Sequence, residues 1–122
     1  MRTGEQVFAA VGCASCHTPS LTTGVNASAA LSRKTAALYS DLLLHDVGTG
    51  DGIAQGAAQT NEIRTPALWG LRFRRALMHD GGSASAAAAI ERHGGEAAAV
   101  VERYRTTTEP LRRALLAFLD SL

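Results

Sequence analysis

The sequence has few aromatic residues and little net charge, and these shortages narrow the range of possible proteins. Only 5% of the 122 residues are aromatic, although 46% are hydrophobic, because much of the apolar content is alanine. Small side chains fill volume poorly, so we expect a thin core for a chain of this length. The formal net charge of +1 gives no electrostatic reason to expect nucleic acid as a partner.

Long apolar runs are also missing. A membrane-spanning helix needs about 20 apolar residues, and no stretch approaches that length, so no membrane span is predicted. Met1-Arg2-Thr3-Gly4 leads directly into an amphipathic segment, without the apolar centre of a secretory signal.

Cysteine occurs only twice, and both residues belong to one motif, Cys13-Ala14-Ser15-Cys16-His17. This C-x-x-C-H spacing is the attachment sequence for c-type haem. Residues at i and i+3 share a helical face, so both thiols can reach the two vinyl groups of one porphyrin. The histidine that follows is then placed to bind the iron on the proximal side. The sequence therefore predicts one covalent haem c, attached through Cys13 and Cys16 and ligated by His17.

Two other uses of a C-x-x-C pair fit this sequence less well. A redox dithiol typically follows a strand, whereas residues 5–11 have a helical pattern. A four-ligand zinc site needs a second ligand pair, and His45, His79 and His93 are too scattered to supply it. Either protein would lack visible haem absorption.

A bound porphyrin would also supply the large aromatic surface that the side chains lack. We therefore expect the haem-free chain to fold poorly. Covalent haem attachment takes place outside the cytoplasmic membrane, so we expect a periplasmic bacterial protein. Since no signal segment is visible, we expect the chain to be a mature or excised form that begins near a domain boundary.

Hydrophobic periodicity predicts an all-α fold with long loops and no strand pattern. Predicted helices cover residues 3–16, 35–44, 86–93 and 96–104. A last helix is capped by Thr108, has Pro110 in its first turn, and presents an apolar stripe made of Leu111, Leu115, Phe118, Leu119 and Leu122. The loops 18–32 and 46–60 are rich in small and polar residues, and loops of this length commonly wrap a functional site.

The sixth iron ligand has five candidates, namely Met78, His79, His45, His93 and Met1. A lone methionine is commonly a core residue. Met78, however, precedes a glycine turn and belongs to no helical stripe that requires it for packing. Its neutral thioether would favour ferrous iron and raise the potential, which suits an electron carrier. We therefore predict His17 and Met78 as the two iron ligands.

Six stretches of the chain, taken together, carry a family resemblance. They are residues 12–19, 39–48, 64–71, 77–81, 93–97 and 118–122, and they include the haem motif, Arg-Thr-Pro-Ala-Leu-Trp-Gly-Leu and Leu-Met-His-Asp-Gly. In this order they resemble the C-terminal haem domain of the bacterial di-haem oxidoreductases, described as peroxidases or thiol oxidoreductases. That family is related to the di-haem cytochrome c peroxidases.

The resemblance implies a cytochrome-c-like fold in which the first and last helices pack together and loops enclose the haem. It also implies that Met78 binds the iron of a high-potential haem. Arg64, Trp69 and Arg72 are our candidates for contacts to the haem propionates, because guanidinium and indole groups donate well to carboxylates. We expect His79 and Asp80 to brace the methionine loop.

The remaining two histidines have simpler expected roles. His45 is interpreted as organising its loop through hydrogen bonds to Asp46 or the backbone. His93 precedes Gly94 and is interpreted as interacting with a helix C-terminal end.

Two departures from the family limit what the chain does alone. It has one haem attachment motif where the family has two, and Gly82 stands where the family usually has arginine. The chain is therefore interpreted as residues 1–122 of one haem domain within a longer di-haem protein, and catalysis by this domain alone is not expected.

Two functions remain open at this point. The first is one-electron transfer, as the electron-entry half of the oxidoreductase, with a second haem domain or a small redox protein as partner. The second is a peroxidase-like or ligand-binding haem with an open distal position, where His45 or His79 would act as the acid–base group. The cluster Arg72, Arg74 and Arg75 is equally open, as a solvated face, a propionate contact or a redox-partner contact.

Overall fold

The computed structural model describes residues 2–122. Met1, one candidate for the sixth ligand, lies outside the described residues. In chain order the elements are helix α1 (Arg2–Val11), strands β1 (Leu21–Thr22), β2 (Thr35–Ala36), β3 (Leu44–Asp46) and β4 (Glu62–Arg64), and helices α2 (Ala86–Arg92), α3 (Ala98–Thr106) and α4 (Glu109–Leu119). Single 3-10 turns lie at Cys13–Ser15, Leu71–Phe73 and Gly95–Ala97.

The all-α prediction is wrong, because the fold combines four helices with two small antiparallel sheets. Strand β1 pairs with β2, and β3 pairs with β4 with His45 opposite Ile63. The expected helix over residues 35–44 does not form. Tyr39 and Leu42 have φ angles of 51° and 64°, which no right-handed helix accepts. Tertiary hydrogen bonds hold this segment in place of helical ones.

Ser40 shows how those bonds act. Its side chain is fully buried, and its hydroxyl donates to the Thr65 carbonyl at 2.8 Å. The same oxygen accepts the Leu42 N–H at 2.9 Å. A buried hydroxyl that both donates and accepts is satisfied, so it fixes segment 39–42 against Thr65, the residue that follows strand β4.

The first and last helices cross closely, as the family resemblance implies. Val7, Phe8 and Val11 of α1 are buried, and they join a core cluster with Leu115 and Phe118 of α4. A Cβ atom at Gly4 would collide with the Ala114 carbonyl and the Phe118 Cβ, so only glycine allows this approach.

The other helices lie close to their predicted positions. Where their bounds differ from the prediction, the residues at the helix ends give the reason. Ser85 caps α2, with its hydroxyl accepting the Ala88 N–H at 3.2 Å. Helix α3 begins at Ala98 rather than 96, because a 3-10 turn precedes it. Helix α1 ends at Val11, five residues earlier than predicted, since Gly12 has a φ of 104°.

Within residues 2–122, no helix has both the length and the apolar character needed to cross a membrane.

Candidate haem attachment site

The C-x-x-C-H motif forms a compact turn directly after α1. Gly12 is left-handed, the 3-10 turn Cys13–Ser15 follows, and the His17 N–H donates to the Cys13 carbonyl at 2.9 Å. Both cysteines are free thiols and half-buried. Arg103 of α3 donates from Nε to the Val11 carbonyl at 2.6 Å and so holds the end of α1 beside the turn.

The ring of His17 is oriented by a main-chain carbonyl. Its Nδ1 lies 2.9 Å from the Tyr39 carbonyl oxygen. Because a carbonyl only accepts, Nδ1 carries the proton and Nε2 keeps a free lone pair. Burial lowers the pKa of His17, which keeps the imidazole neutral. A neutral ring with a fixed Nδ1–H and a free Nε2 is the form that binds iron.

The pKa values of the two thiols help to distinguish a haem attachment site from a redox-active dithiol. Burial raises the pKa of Cys13 to about 11, and burial followed by the nearby Asp41 carboxylate raises that of Cys16. Both residues are therefore protonated at neutral pH. Catalytic dithiols depend on a lowered thiol pKa, so this environment argues against a redox-active C-x-x-C.

A cluster of possible metal ligands lies beside the turn, formed by Cys16, Asp41 and His45, whose ligand atoms lie within 4.8 Å of one another. Both nitrogens of His45 are already engaged. Nε2 lies 2.8 Å from an Asp41 oxygen and Nδ1 lies 2.9 Å from a Glu96 oxygen. Hydrogen bonds to Glu96 and then Asp41 raise the pKa of His45, which favours the imidazolium over a metal-binding ring.

Met78 lies at the start of a tightly tied loop. Leu77 and Ser83 exchange main-chain hydrogen bonds of 2.8 and 3.2 Å, and the Gly81 N–H donates to the Met78 carbonyl at 3.2 Å. Met78 has a φ of 66°, a left-handed conformation that is strained for a residue other than glycine. Strain of this kind persists where the surrounding structure fixes the residue.

Arg92 of α2 braces this loop from outside. Its guanidinium makes a two-pronged contact with Asp80, at 2.6 and 3.0 Å, and also donates to the Ser83 hydroxyl at 3.3 Å. The Arg92 side chain holds the pKa of Asp80 far below its usual range. A Cβ at Gly82 would collide with Arg92, so this guanidinium lies against the position where the resembling family has arginine.

The three candidate propionate contacts lie on strand β4 and on the chain that follows it. Arg64 ends strand β4 and lines a surface pocket of about 240 Å³ together with His79. Trp69 is 54% exposed, and its indole N–H donates to the Ala37 carbonyl. The Arg72 guanidinium lies 4.6 Å from the centre of the Phe73 ring. Their contacts to propionates stay predictions.

Four residues that contribute to the site were not singled out from the sequence. Each contacts a main-chain carbonyl or a residue of the predicted site. The four are Tyr39, Arg92, Glu96 and Arg103. Tyr39 and Glu96 had a signal, since they lie within the matching stretches 39–48 and 93–97. The role of His93 is near the predicted one, because its Nδ1 lies 2.7 Å from the Ala89 carbonyl at the end of α2.

The residues present fit a covalently attached haem. Two protonated thiols three residues apart, a neutral imidazole with a free Nε2, and a thioether on a braced loop form a suitable donor set. The chain also leaves Leu42, Leu43 and Leu44 exposed directly after the Tyr39 carbonyl that orients His17.

Comparison with known families agrees with this chemistry. The family described as "Di-haem oxidoreductase, putative peroxidase" matches the chain over residues 1–122, its whole length. The protein belongs to the di-haem oxidoreductase family. Membership makes it a haem-binding oxidoreductase of the peroxidase-like class, in which a second haem accompanies the first. No curated protein and no solved structure matches this di-haem oxidoreductase chain.

Proposed function

We propose that this chain is the one-electron-transfer domain of its oxidoreductase, with a single covalent haem c attached through Cys13 and Cys16 and ligated by His17 and Met78. In this proposal it forms the C-terminal, electron-entry half of a di-haem protein. The observation that carries the proposal is the His17 ring, whose Nδ1 lies 2.9 Å from the Tyr39 carbonyl oxygen, so that Nε2 is the nitrogen left to bind iron.

The haem supplies a ferric/ferrous one-electron couple when bound. The chain's own residues set what that couple can do. His17 holds a neutral imidazole, and the loop braced by Leu77, Ser83 and Arg92 holds the Met78 backbone in one conformation. Two protein ligands leave no free iron position, so peroxide cleavage belongs to the partner haem.

The alternative of an open, peroxidase-like site lacks a suitable acid–base group. His45 has both ring nitrogens on carboxylates, so it has no free nitrogen to exchange a proton with a substrate. His79 lines the surface pocket with Arg64 and Asp51, on the exposed side of the methionine loop. Neither arrangement resembles a catalytic base aimed at a substrate.

The proposed partners are the second haem domain and a small redox protein, and the proposed location is the periplasm. Covalent attachment of haem c outside the cytoplasmic membrane supports the location. Of the three candidate propionate contacts, only that of Arg64 remains part of the proposal, because the Trp69 indole N–H donates to the Ala37 carbonyl and the Arg72 guanidinium lies over the Phe73 ring.

The test is the visible spectrum of the chain matured in a host that attaches haem c. We expect a low-spin ferric form with the weak long-wavelength band of a methionine–iron bond and no change with carbon monoxide or peroxide. Met78→Ala removes that band, whereas the matched control His79→Ala keeps it. A high-spin ferric form that reacts with peroxide would contradict electron transfer. A low-spin parent chain that lacks the band and becomes high-spin only in His79→Ala would reassign the ligand to His79.

A further inference from the structure

One segment of the chain is strongly basic. Residues 63–79 contain four arginines and no acidic residue. Three of these arginines flank two exposed aromatic rings, those of Trp69 and Phe73. The five residues Trp69, Arg72, Phe73, Arg74 and Arg75 are called the arginine–aromatic surface below.

The charges of this surface are not neutralised by the protein. Within residues 2–122, the structure pairs Arg92, Arg105, Arg112 and Arg113 with carboxylates. Arg72, Arg74 and Arg75 have no such partner in this part of the chain. Arg74 donates only to the main-chain carbonyls of Ala67 and Trp69, at 3.1 and 3.0 Å, so its positive charge stays available.

The aromatic rings on the same surface are unusually open for their size. Phe73 is 74% exposed and Trp69 is 54% exposed. Exposed aromatic and arginine side chains together are the composition found at the centre of protein–protein interfaces. Unpaired guanidinium groups around such a centre favour a partner with an acidic surface, because opposite potentials speed and orient the encounter.

Hydrogen bonds connect this surface to the proximal histidine. The Trp69 indole N–H donates to the Ala37 carbonyl, and the adjacent Leu68 N–H donates to the Leu38 carbonyl at 3.1 Å. The next residue, Tyr39, accepts the hydrogen bond from His17 Nδ1 at 2.9 Å. Three consecutive residues, 37–39, therefore join the exposed indole to the imidazole ring.

We propose that the arginine–aromatic surface docks an acidic one-electron redox protein, and that residues 37–39 couple Trp69 to the His17 ring as the route of electron entry. This inference rests on the electron-transfer function proposed above. In the transfer the reduced partner loses one electron and the iron bound by His17 changes from ferric to ferrous. No bond is made or broken and no proton moves.

The test uses a plant-type ferredoxin as the acidic one-electron donor, since its iron–sulfur potential lies well below that of a methionine-ligated haem. Calorimetry measures its binding to the ferric, haem-loaded chain at several salt concentrations. We expect binding that weakens as salt increases, and a loss of at least about tenfold in affinity for Arg72→Glu/Arg75→Glu. The control Arg33→Glu/Lys34→Glu makes the same charge change at another exposed site and keeps the affinity.

The rate of haem reduction distinguishes the docking of ferredoxin from electron transfer through residues 37–39. In Trp69→Phe an aromatic ring remains but the N–H to Ala37 is lost, so we expect unchanged ferredoxin affinity and a several-fold lower limiting rate of reduction. Photoreduced lumiflavin, a small neutral reductant that needs no docking, gives each variant a reference rate, and the ferredoxin rate of that variant is divided by it. Unchanged ferredoxin binding in Arg72→Glu/Arg75→Glu would overturn the docking surface, and an unchanged limiting rate in Trp69→Phe would overturn the route.

A different result would contradict the electron-transfer function on which this inference rests. A chain that lumiflavin cannot reduce would contradict electron transfer. The calorimetric result with the ferric form would still decide whether the arginine–aromatic surface binds the acidic protein.

Discussion

The helices and the middle segment, which we define as residues 12–85, differ in how far their apolar side chains are exposed to solvent. Most of the buried apolar residues lie in α1, α3 and α4, where Phe8 and Leu115 are almost completely enclosed. Most of the large apolar residues that are exposed lie instead in the middle segment. They are Val25, Leu31, Leu42, Leu43, Leu44, Ile53, Trp69 and Phe73. The helices complete their own packing, whereas the middle segment leaves much of its apolar surface uncovered.

Polar groups hold the middle segment together instead. The three buried polar residues, Ser40, Thr65 and Ser83, all belong to it, and each takes part in hydrogen bonds between distant stretches. Burial of apolar surface contributes roughly 25 cal/mol per Å², so a segment with little buried apolar area depends on its hydrogen bonds and on whatever covers it. The comparison teaches that the helices form an apolar scaffold, while the middle segment depends on hydrogen bonds between stretches that are distant in sequence.

Removing the haem attachment is the strongest way to break this comparison. In Cys13→Ala/Cys16→Ala we expect no covalent haem and a poorly folded chain, because exposed leucines of the middle segment such as Leu42, Leu43 and Leu44 would lose the haem as a packing partner. Amide hydrogen exchange should show rapid exchange across residues 37–85. Protection in the α1–α4 pair should persist to a greater degree.

The control for this variant is Ser15→Ala, which changes an exposed residue between the two cysteines and keeps the haem. Equal amide protection of the middle segment with and without haem would show that this segment folds independently of the cofactor.

A substitution in the scaffold should have the next largest effect. Gly4→Ala places a Cβ against the Ala114 carbonyl and the Phe118 Cβ, where α1 and α4 cross. Alanine alone would favour an exposed helix by about 1 kcal/mol over glycine. Overpacking costs about 1–3 kcal/mol, and a clash with a main-chain carbonyl lies at the upper end of that range. After the gain from alanine is subtracted, we expect a net loss of roughly 2 kcal/mol in the free energy of unfolding, measured by urea denaturation.

The matched control is Gly24→Ala, where a Cβ would meet no atom within 4 Å. Its free energy of unfolding should stay within about 0.5 kcal/mol of the parent chain. A gain in stability for Gly4→Ala would mean that the crossing has room to spare and is not what requires glycine.

The same division explains what the sequence alone could predict. Helices α2 and α4 follow from local signals, such as the Ser85 cap and Pro110 in the first turn of α4. The crossing of the first and last helices followed from the family resemblance. The C-x-x-C-H motif is also local, since spacing alone places the two thiols and the histidine on one turn.

The middle segment could not be predicted in this way, because its structure depends on partners far away in sequence. Ser40 bonds to Thr65, and His17 bonds to Tyr39, 22 residues further along the chain. The left-handed conformations of Tyr39, Leu42 and Met78 contradict local preference, so neither propensity nor periodicity indicates them. For the same reason the two short sheets gave no strand pattern, and the all-α prediction was wrong.

The smallest predicted effect concerns the charged network that joins the middle segment to the turn before α3. His45 lies between Asp41 and Glu96, with its side chain 17% exposed. Hydrogen bonds to Glu96 and Asp41 raise the pKa of His45 above its ordinary value of 6.5. Desolvation pushes the Asp41 pKa upward, but the bonds from His45 and the Leu43 N–H outweigh it and leave that pKa lowered.

These directions fix the pH range in which the network stabilises the fold. The contribution of His45 is fully present below pH 6.5 and is lost as pH rises through its raised folded pKa. The contributions of the two carboxylates are present above their unfolded pKa values and are lost as pH falls through their lowered folded values. The network is therefore most stabilising in mildly acidic solution, between about pH 5 and 6.5.

His45→Gln should consequently lower the melting temperature most in that range and less above neutral pH. Because the network is partly solvent-screened, the loss should stay under about 1 kcal/mol, smaller than that of Gly4→Ala. His93→Gln is the matched control, since that ring nitrogen contacts only the Ala89 carbonyl. A double-mutant cycle with Asp41→Asn isolates the pair, and a coupling that does not change between pH 5.5 and 8.5 would mean that charge on His45 contributes nothing to the contact between the middle segment and the turn before α3.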